Sequence, residues 1–319
     1  MKKKTHSLKK RYRRILLYLI LLVIAVSISV HFINIYKYHQ TNEYKLLEIG
    51  YSKNSVSNIL DKLGTSSVNK ILNMKKINVI DDILNQKYFI EKHLFEYIEY
   101  YNDNTDKSFY DVVAIINVGS NKPWYNESIS ADISKGELVL INKFHLLEET
   151  YDAGEIKTFS ATYAYGTVKA SKVAYDAFIK MANAAKKDGI TLVLSSGYRE
   201  HVYQEKLYND MVKTKGQDYA DKYAAKPGSS EHETGLALDI LSTGKGAFTN
   251  NFHETDAYAW LCAHANEYGF ILRYPEGKEH LTGYSPESWH YRYLGVDMAT
   301  KVKNEDITYD EYYAYYLDN

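Results

Sequence analysis

The alternation of apolar and polar positions divides the chain into stretches of different texture. From Ile15 to Ile35 the residues are apolar except for Ser27, Ser29, His31 and Asn34, a run close to the ~20 residues a helix needs to cross the hydrocarbon core of a bilayer. Between residues 36 and about 105 apolar positions return every twelve residues: Val56, Val68 and Ile80; Ile59, Ile71 and Ile83; Leu60, Leu72 and Leu84. One continuous helix would turn such a stripe by about 120° per repeat. Three short helices broken near Gly64 and Asn73 are therefore predicted, each burying the same positions.

From about Ser108 the texture becomes strand-like, with apolar runs Val112–Ile116 and Leu138–Ile141. A helix is predicted over Ser171–Lys187, with an apolar stripe of Val173, Ala177, Met181 and Ala184 and with Gly189 just past its end. A strand, Ile190–Leu194, then runs into Ser195-Ser196-Gly197-Tyr198-Arg199. A second helix opens near Thr255 and ends at Gly269. Strands Phe270–Tyr274 and Trp289–Tyr293 follow, with an acidic, tyrosine-rich helix at the C-terminus. Helices and strands mix without regular alternation, which predicts an α+β fold with an antiparallel sheet rather than a doubly wound parallel one.

Charge sharpens the division. The first fourteen residues hold eight Lys or Arg and no acid, so the remaining 31 cations face 40 acids. An acidic body excludes a nucleic-acid binder, whose phosphate contacts need clustered cations. Cations before the apolar span and few after it place the N-terminus in the cytoplasm and the rest outside. The competing reading is a cleaved signal peptide ending at Ala25-Val26-Ser27, but the apolar run continues past that point. The predicted order is a basic cytoplasmic tail (1–14), a transmembrane helix (15–35), a helical stalk that lifts the rest off the membrane or binds the wall (36–107), and a catalytic domain (108–319). Cys262 is the single cysteine, so an internal disulfide, a lipid-modified anchor and a Cys-rich metal site are excluded. A single-pass membrane protein with an extracytoplasmic domain free of disulfides suits a Gram-positive cell surface.

Two segments carry chemistry. Taken as a strand from Gly235, the run to Leu241 alternates with period two: Leu236, Leu238 and Ile240 face the core while Gly235, Ala237 and Asp239 face the other way. His232 lies just upstream, where a turn at Thr234-Gly235 can swing its ring over that face. In the segment Pro286 to Tyr293, His290 and Arg292 share a face, and Glu287 precedes His290 by three residues. Two histidines and an aspartate suit Zn2+ with a fourth position open to water. Such an ion lowers the pKa of its water to about 7, and a carboxylate that does not ligate it, such as Glu287, can take the proton. The alternative for His232 and His290 is ordinary surface or core histidine.

The motif Ser230-x-His232-x-x-Gly235-x-Ala237-x-Asp239, followed by Glu287-x-x-His290, resembles the signature of the LAS zinc peptidases, and specifically the VanY-type D-alanyl-D-alanine carboxypeptidases. Ser196-Gly197-Tyr198-Arg199, Gln204, Pro227-Gly228, Gly269 to Tyr274 and Trp289 to Tyr293 extend the resemblance over roughly residues 135 to 315. It implies a LAS-type antiparallel sheet flanked by helices, with His232, Asp239 and His290 as zinc ligands. It makes Glu287 the base that activates water and then protonates the leaving amine. Arg199 would stabilise developing negative charge or hold the substrate carboxylate, with Gln204 and Ser230 helping to bind substrate. The implied reaction is release of terminal D-Ala from peptidoglycan pentapeptide stems, which would deplete the D-Ala-D-Ala ends bound by vancomycin-type antibiotics. An L,D-carboxypeptidase acting on tetrapeptide stems and a catalytically silent zinc-containing wall-binding protein are the alternatives.

Other catalytic classes fit poorly. Ser67–Lys70 and Ser242–Lys245 match Ser-x-x-Lys, but the chain has no Lys-Thr-Gly. His232-Glu233 is followed by Leu236 where a His-Glu-x-x-His motif needs its second histidine. Cys262 reads as a buried structural thiol, and His253, His264 and His280 as non-ligands.

Overall fold

A computed structural model describes residues 2–243 and 251–318, with side chains from Lys10 onward. Lys245, and with it the second Ser-x-x-Lys match, lies outside the described residues. The chain divides into two compact units, Met1–Phe109 and Tyr110–Asn319.

The first unit opens with α1 (Lys2–His39), 38 residues long and so about 57 Å at 1.5 Å per residue, enough to exceed a ~30 Å hydrocarbon core. Its apolar side chains from Ile15 to Ile35 are exposed. Among the described residues it is the helix long and apolar enough to cross a membrane. Short helices follow: α2 (Asn42–Ile49), α3 (Lys53–Lys62), α4 (Thr65–Leu72), α5 (Ile80–Leu84) and α6 (Leu94–Asp103). The breaks fall at Leu63-Gly64 and Asn73. Val56, Ile59, Val68, Ile71, Ile80 and Ile83 are all buried. The third set of the repeat departs from expectation, because Leu84 is buried but Leu60 is exposed and Leu72 half-buried. Ser55 Oγ and Asn58 Nδ2 donate to the two oxygens of Asp81 at 2.5 and 3.0 Å, tying α3 to α5. Ser67 Oγ donates to Glu91 instead of facing Lys70, whose ammonium lies over the Phe95 ring.

The second unit begins in α7 (Phe109–Val118), and here the expected strand Val112–Ile116 is helical. All five of those residues are buried, and a run apolar on every side carries no period by which helix and strand differ. Leu138–Ile141 is also not a strand. Side chains satisfy its carbonyls instead of a ladder, with Tyr309 donating to Leu138 O at 2.5 Å and Arg292 Nη2 to Val139 O at 2.7 Å. Short strands β1 (Ile129–Ser130) and β2 (His145–Leu146) pair in parallel, and β3 (Ile156–Thr158) and β4 (Lys169–Ser171) antiparallel.

The main sheet is four-stranded and antiparallel, in the order β5 (Leu192–Ser196), β6 (Ala237–Ser242), β8 (His290–Tyr293), β7 (Phe270–Leu272). This is the expected LAS-type arrangement, with helices against it. One face packs on α8 (Lys172–Lys187), where Ala174, Phe178, Met181 and Ala185 share a core with Leu194, Leu238, Ile240 and Tyr291. Of the stripe expected on α8, Ala177 and Met181 are buried, while Val173 is exposed and Ala184 half-buried because the buried face runs on through Ala174, Phe178 and Ala185. The remaining helices are α9 (His201–Lys215), α10 (Gln217–Tyr223), α11 (Asp256–His264), α12 (Glu279–Thr282), α13 (Val296–Glu305) and α14 (Tyr309–Tyr316). Thr255 caps α11, and the chain continues as a 3-10 turn to Gly269 in a left-handed conformation. Cys262 on α11 is exposed, not buried, and lines an open cavity together with Leu261, Ala265 and Tyr291.

Candidate active site

Strand register assembles the centre. Ser196 of β5 stands opposite Asp239 of β6, and Asp239 opposite His290 of β8, so three adjacent strands present one row of polar side chains on the face away from α8. An irregularity between Leu194 and Ser196 puts Ser196 into that row, as bulges do near functional sites. His232 comes from the 3-10 turn Glu231–Thr234, which ends in Gly235 with φ 70°. A Cβ at Gly235 would lie 2.8 Å from Ser171 N, so the turn that brings His232 over the sheet requires glycine.

His232, Asp239 and His290 are all buried, and one donor atom from each lies within 4.8 Å of the others. Nε2 of His232 and Nδ1 of His290 each lie 3.4 Å from Oδ1 of Asp239, a buried oxygen with no hydrogen-bond partner. Three donors converging around an oxygen that protein groups leave unsatisfied is what a cation site needs. The outward nitrogens are engaged: His232 Nδ1 is 2.8 Å from Gly197 O, and His290 Nε2 is 3.3 Å from Oε2 of Glu231. Those bonds assign the protons and turn the other lone pairs inward. Zinc fits this set of two imidazoles and one carboxylate. Among the described residues no other cluster of three His, Cys, Asp or Glu meets this spacing.

The titration behaviour follows from crowding. Burial pushes His232 down to about 4, helped by the Arg199 charge. His290 moves the other way, to about 9, because the carboxylates of Asp239 and Glu231 beside it outweigh burial. Burial would raise Asp239, but the two imidazoles hold it well below the usual carboxylate range. Glu287 sits with Oε2 3.4 Å from Nδ1 of His290. Burial, with the Asp239 charge, pushes its carboxyl up to about 7 against the pull of His290. A carboxyl that titrates near neutrality beside the metal donors can exchange protons with substrate.

The other predicted residues line the same cleft of about 290 Å³, which holds Arg199, Gln204, Ser230, Glu287, Tyr274 and Trp289 among its walls. Arg199 Nε and Nη2 donate to Ser196 Oγ at 3.1 and 2.7 Å, and Nη1 donates to Gln204 Oε1 at 3.3 Å. Gln204 in turn donates to Ala225 O at 2.8 Å. The guanidinium is thus held at the cleft edge with about a fifth of its side chain open. The structure brings together all seven residues singled out from the sequence.

One residue was missed. Glu231, in a variable position of the motif, is 1% exposed and accepts from Arg273 Nε and Arg292 Nη1, both at 2.8 Å on Oε1. Burial would raise its carboxyl, but the two guanidinium groups hold it far below the usual range. The sequence carries no signal for it: Arg292 shares the polar face of β8 with His290 and Arg273 lies just past β7, so neither marks a buried acid between them.

The family model described as "VanY: D-alanyl-D-alanine carboxypeptidase" matches residues 167–296. The bifunctional D-Ala-D-Ala dipeptidase and D-Ala-D-Ala carboxypeptidase VanXYC of Enterococcus gallinarum is 32% identical over 183 residues, 56% of this chain and 94% of that protein. The chain belongs to the VanY family. YodJ of Bacillus subtilis (strain 168) is 37% identical over 181 residues, 55% of this chain; the chain spans about two thirds of its length, 66%. Among solved structures, the LdcB LD-carboxypeptidase superposes with a TM-score of 0.56 at 34% identity, covering 60% of this chain and 91% of that one. All seven singled-out residues fall inside the stretch matched to the VanY model, which ends before α14.

Proposed function

We propose that this chain is a zinc D,D-carboxypeptidase that releases the terminal D-alanine from peptidoglycan pentapeptide stems. One observation carries the reading: a metal-type donor set, a carboxyl titrating near neutrality and a braced guanidinium share one cleft. His232, Asp239 and His290 would hold the ion, which when bound supplies Lewis-acid polarisation of the scissile carbonyl and of water. Glu287 takes the proton of the attacking water and delivers it to the leaving D-alanine nitrogen. Arg199, 3.4 Å from the metal-side carboxylate Asp239, faces the developing negative charge. Gln204 and Ser230 bind the substrate's C-terminal end beside it.

The α1 helix supports anchoring in the cell membrane with the catalytic unit outside, and the α2–α6 module then serves as a stalk. The basic tail of residues 1–14 would stay in the cytoplasm.

Likeness to the LdcB LD-carboxypeptidase favours a second reading, cleavage of tetrapeptide stems at an L,D bond. Incubating the full chain in detergent with synthetic penta- and tetrapeptide stems, with and without a chelator, and weighing the products separates the cases. Chelator-sensitive loss of one alanine from the pentapeptide is the result expected. Cleavage of the tetrapeptide alone establishes the second reading, and no cleavage of either leaves a zinc-containing binding protein.

A further inference from the structure

We infer that the C-terminal helix α14 sets the position of the metal ligand His290, acting through a buried relay that starts at Asp310 and runs through Arg273 and Glu231. The inference rests on the assignment of His290 as a ligand. Asp310 accepts from Arg273 with both oxygens, Nη1 on Oδ2 at 2.5 Å and Nη2 on Oδ1 at 3.2 Å. Arg273 Nε donates to Oε1 of Glu231 at 2.8 Å, and Oε2 of Glu231 meets His290 Nε2 at 3.3 Å. Every member is buried: Asp310 2%, Arg273 0%, Glu231 1% and His290 4% exposed.

The fork geometry of guanidinium makes this a relay rather than a cluster. Arg273 spends its two Nη groups on Asp310 and its Nε on Glu231, so a planar group fixes the mutual orientation of two carboxylates. Glu231 presents one oxygen to the two arginines and the other to His290. A carboxylate behind a ligating imidazole fixes its ring orientation and raises its basicity. Asp310 is itself held, since Asn142 Nδ2 donates to Oδ1 at 2.8 Å and Thr308 with Glu311 forms a capping box at the start of α14. Asp310 lies outside the stretch matched by the family model, so the brace reaches the shared motif from α14, beyond that stretch. Asp310 is a positioning residue; it touches neither substrate nor reacting atoms.

The test measures Zn2+ affinity of the full chain in detergent by competition with a chromophoric chelator, with the visible spectrum of the Co2+-substituted protein as a second readout. Glu231→Gln should weaken zinc binding about 10- to 100-fold. Asp310→Asn should weaken it about 3- to 10-fold and shift the Co2+ bands in the same direction. The double variant should bind no more weakly than Glu231→Gln alone, because both act through one chain of contacts. Tyr316→Ala, on an exposed face of the same helix, should keep parental affinity and spectrum. The inference is overturned if folded Asp310→Asn binds zinc like the parent, if the two losses multiply, or if Tyr316→Ala loses as much. Should Asp310→Asn fail to fold, Arg273→Lys carries the same expectation, since an ammonium cannot bridge both carboxylates in one plane. A parental chain that takes up no zinc overturns the ligand assignment itself, and this inference with it.

Discussion

Arg199 Nη2 stands 3.4 Å from Oδ2 of Asp239, the carboxylate oxygen turned away from both imidazoles. Asp239 therefore divides its charge, one oxygen toward the metal position and the other toward a guanidinium that Ser196 and Gln204 brace. A cation fixed there before substrate arrives costs no reorganisation when negative charge develops on the scissile carbonyl oxygen.

Arg199→Lys keeps the charge but loses the fork. We expect kcat to fall about 100- to 1000-fold, with KM changed far less. Steady-state kinetics on a pentapeptide stem checks this. A rise in KM at unchanged kcat would move Arg199 from the transition state to the ground-state carboxylate.

Glu287→Gln removes the proton carrier without touching the donor set. The expected result is a loss of kcat of about 100- to 10,000-fold, with zinc content measured by atomic absorption staying at the parental level. The pH profile gives a second check. A base works ionised, so kcat/KM of the parent should rise with pH through the Glu287 titration, and that acidic limb should vanish in the variant.

Gly197 is a constraint that the motif shows only as a letter. A Cβ there would lie 2.2 Å from Lys169 O, while its own carbonyl accepts from His232 Nδ1. Gly197→Ala should therefore destabilise the catalytic unit by about 2–4 kcal/mol and weaken zinc binding together. The chain's tryptophans, Trp124, Trp260 and Trp289, all lie in the second unit, so urea titration followed by their fluorescence reads that unit.

The legible part of the fold was the part with a period. Period-two spacing put Asp239 and His290 on the correct faces of their strands, because Leu238, Ile240 and Tyr291 had to reach the core on the other side. The twelve-residue recurrence marked the breaks at Gly64 and Asn73 for a similar reason. Leu60 escaped the pattern because an apolar residue on a short surface helix has no obligation to be buried. Val112–Ile116 was misread because it is buried all round, and Cys262 because neighbouring Trp260 and Leu261 do not determine which side of the helix a third residue takes. Glu231 and Asp310 were invisible for a different reason. Both are acids in a chain rich in them, and only the folded distances show that Arg273 joins them across 37 and 42 residues of sequence.

Zinc uptake should release protons, with a sign that depends on which imidazole holds one. In the metal-free protein His290 titrates at about 9 against about 6.5 unfolded. Its contribution to stability is fully present below pH 6.5 and is lost as pH rises through 9. His232 behaves oppositely: lowered to about 4, it contributes above pH 6.5 and loses that contribution as pH falls through 4. Glu287, raised to about 7, has the sign of His290 but finishes by pH 7, and Lys143, lowered by burial to about 8, opposes His290 only above pH 8. Between pH 7 and 8 His290 acts almost alone, so the metal-free catalytic unit should lose about 1 kcal/mol per pH unit there. A ligand must shed its proton to bind, so apparent zinc affinity should rise about tenfold over that same unit. Calorimetric titration at pH 6, where water on the ion keeps its proton while His290 still holds one, in two buffers of different ionisation enthalpy counts the ligand protons. About one proton per zinc is the expected result. A value near zero would mean that both imidazoles are already neutral in the empty site, and that Glu231 and Asp239 do not hold a proton on His290.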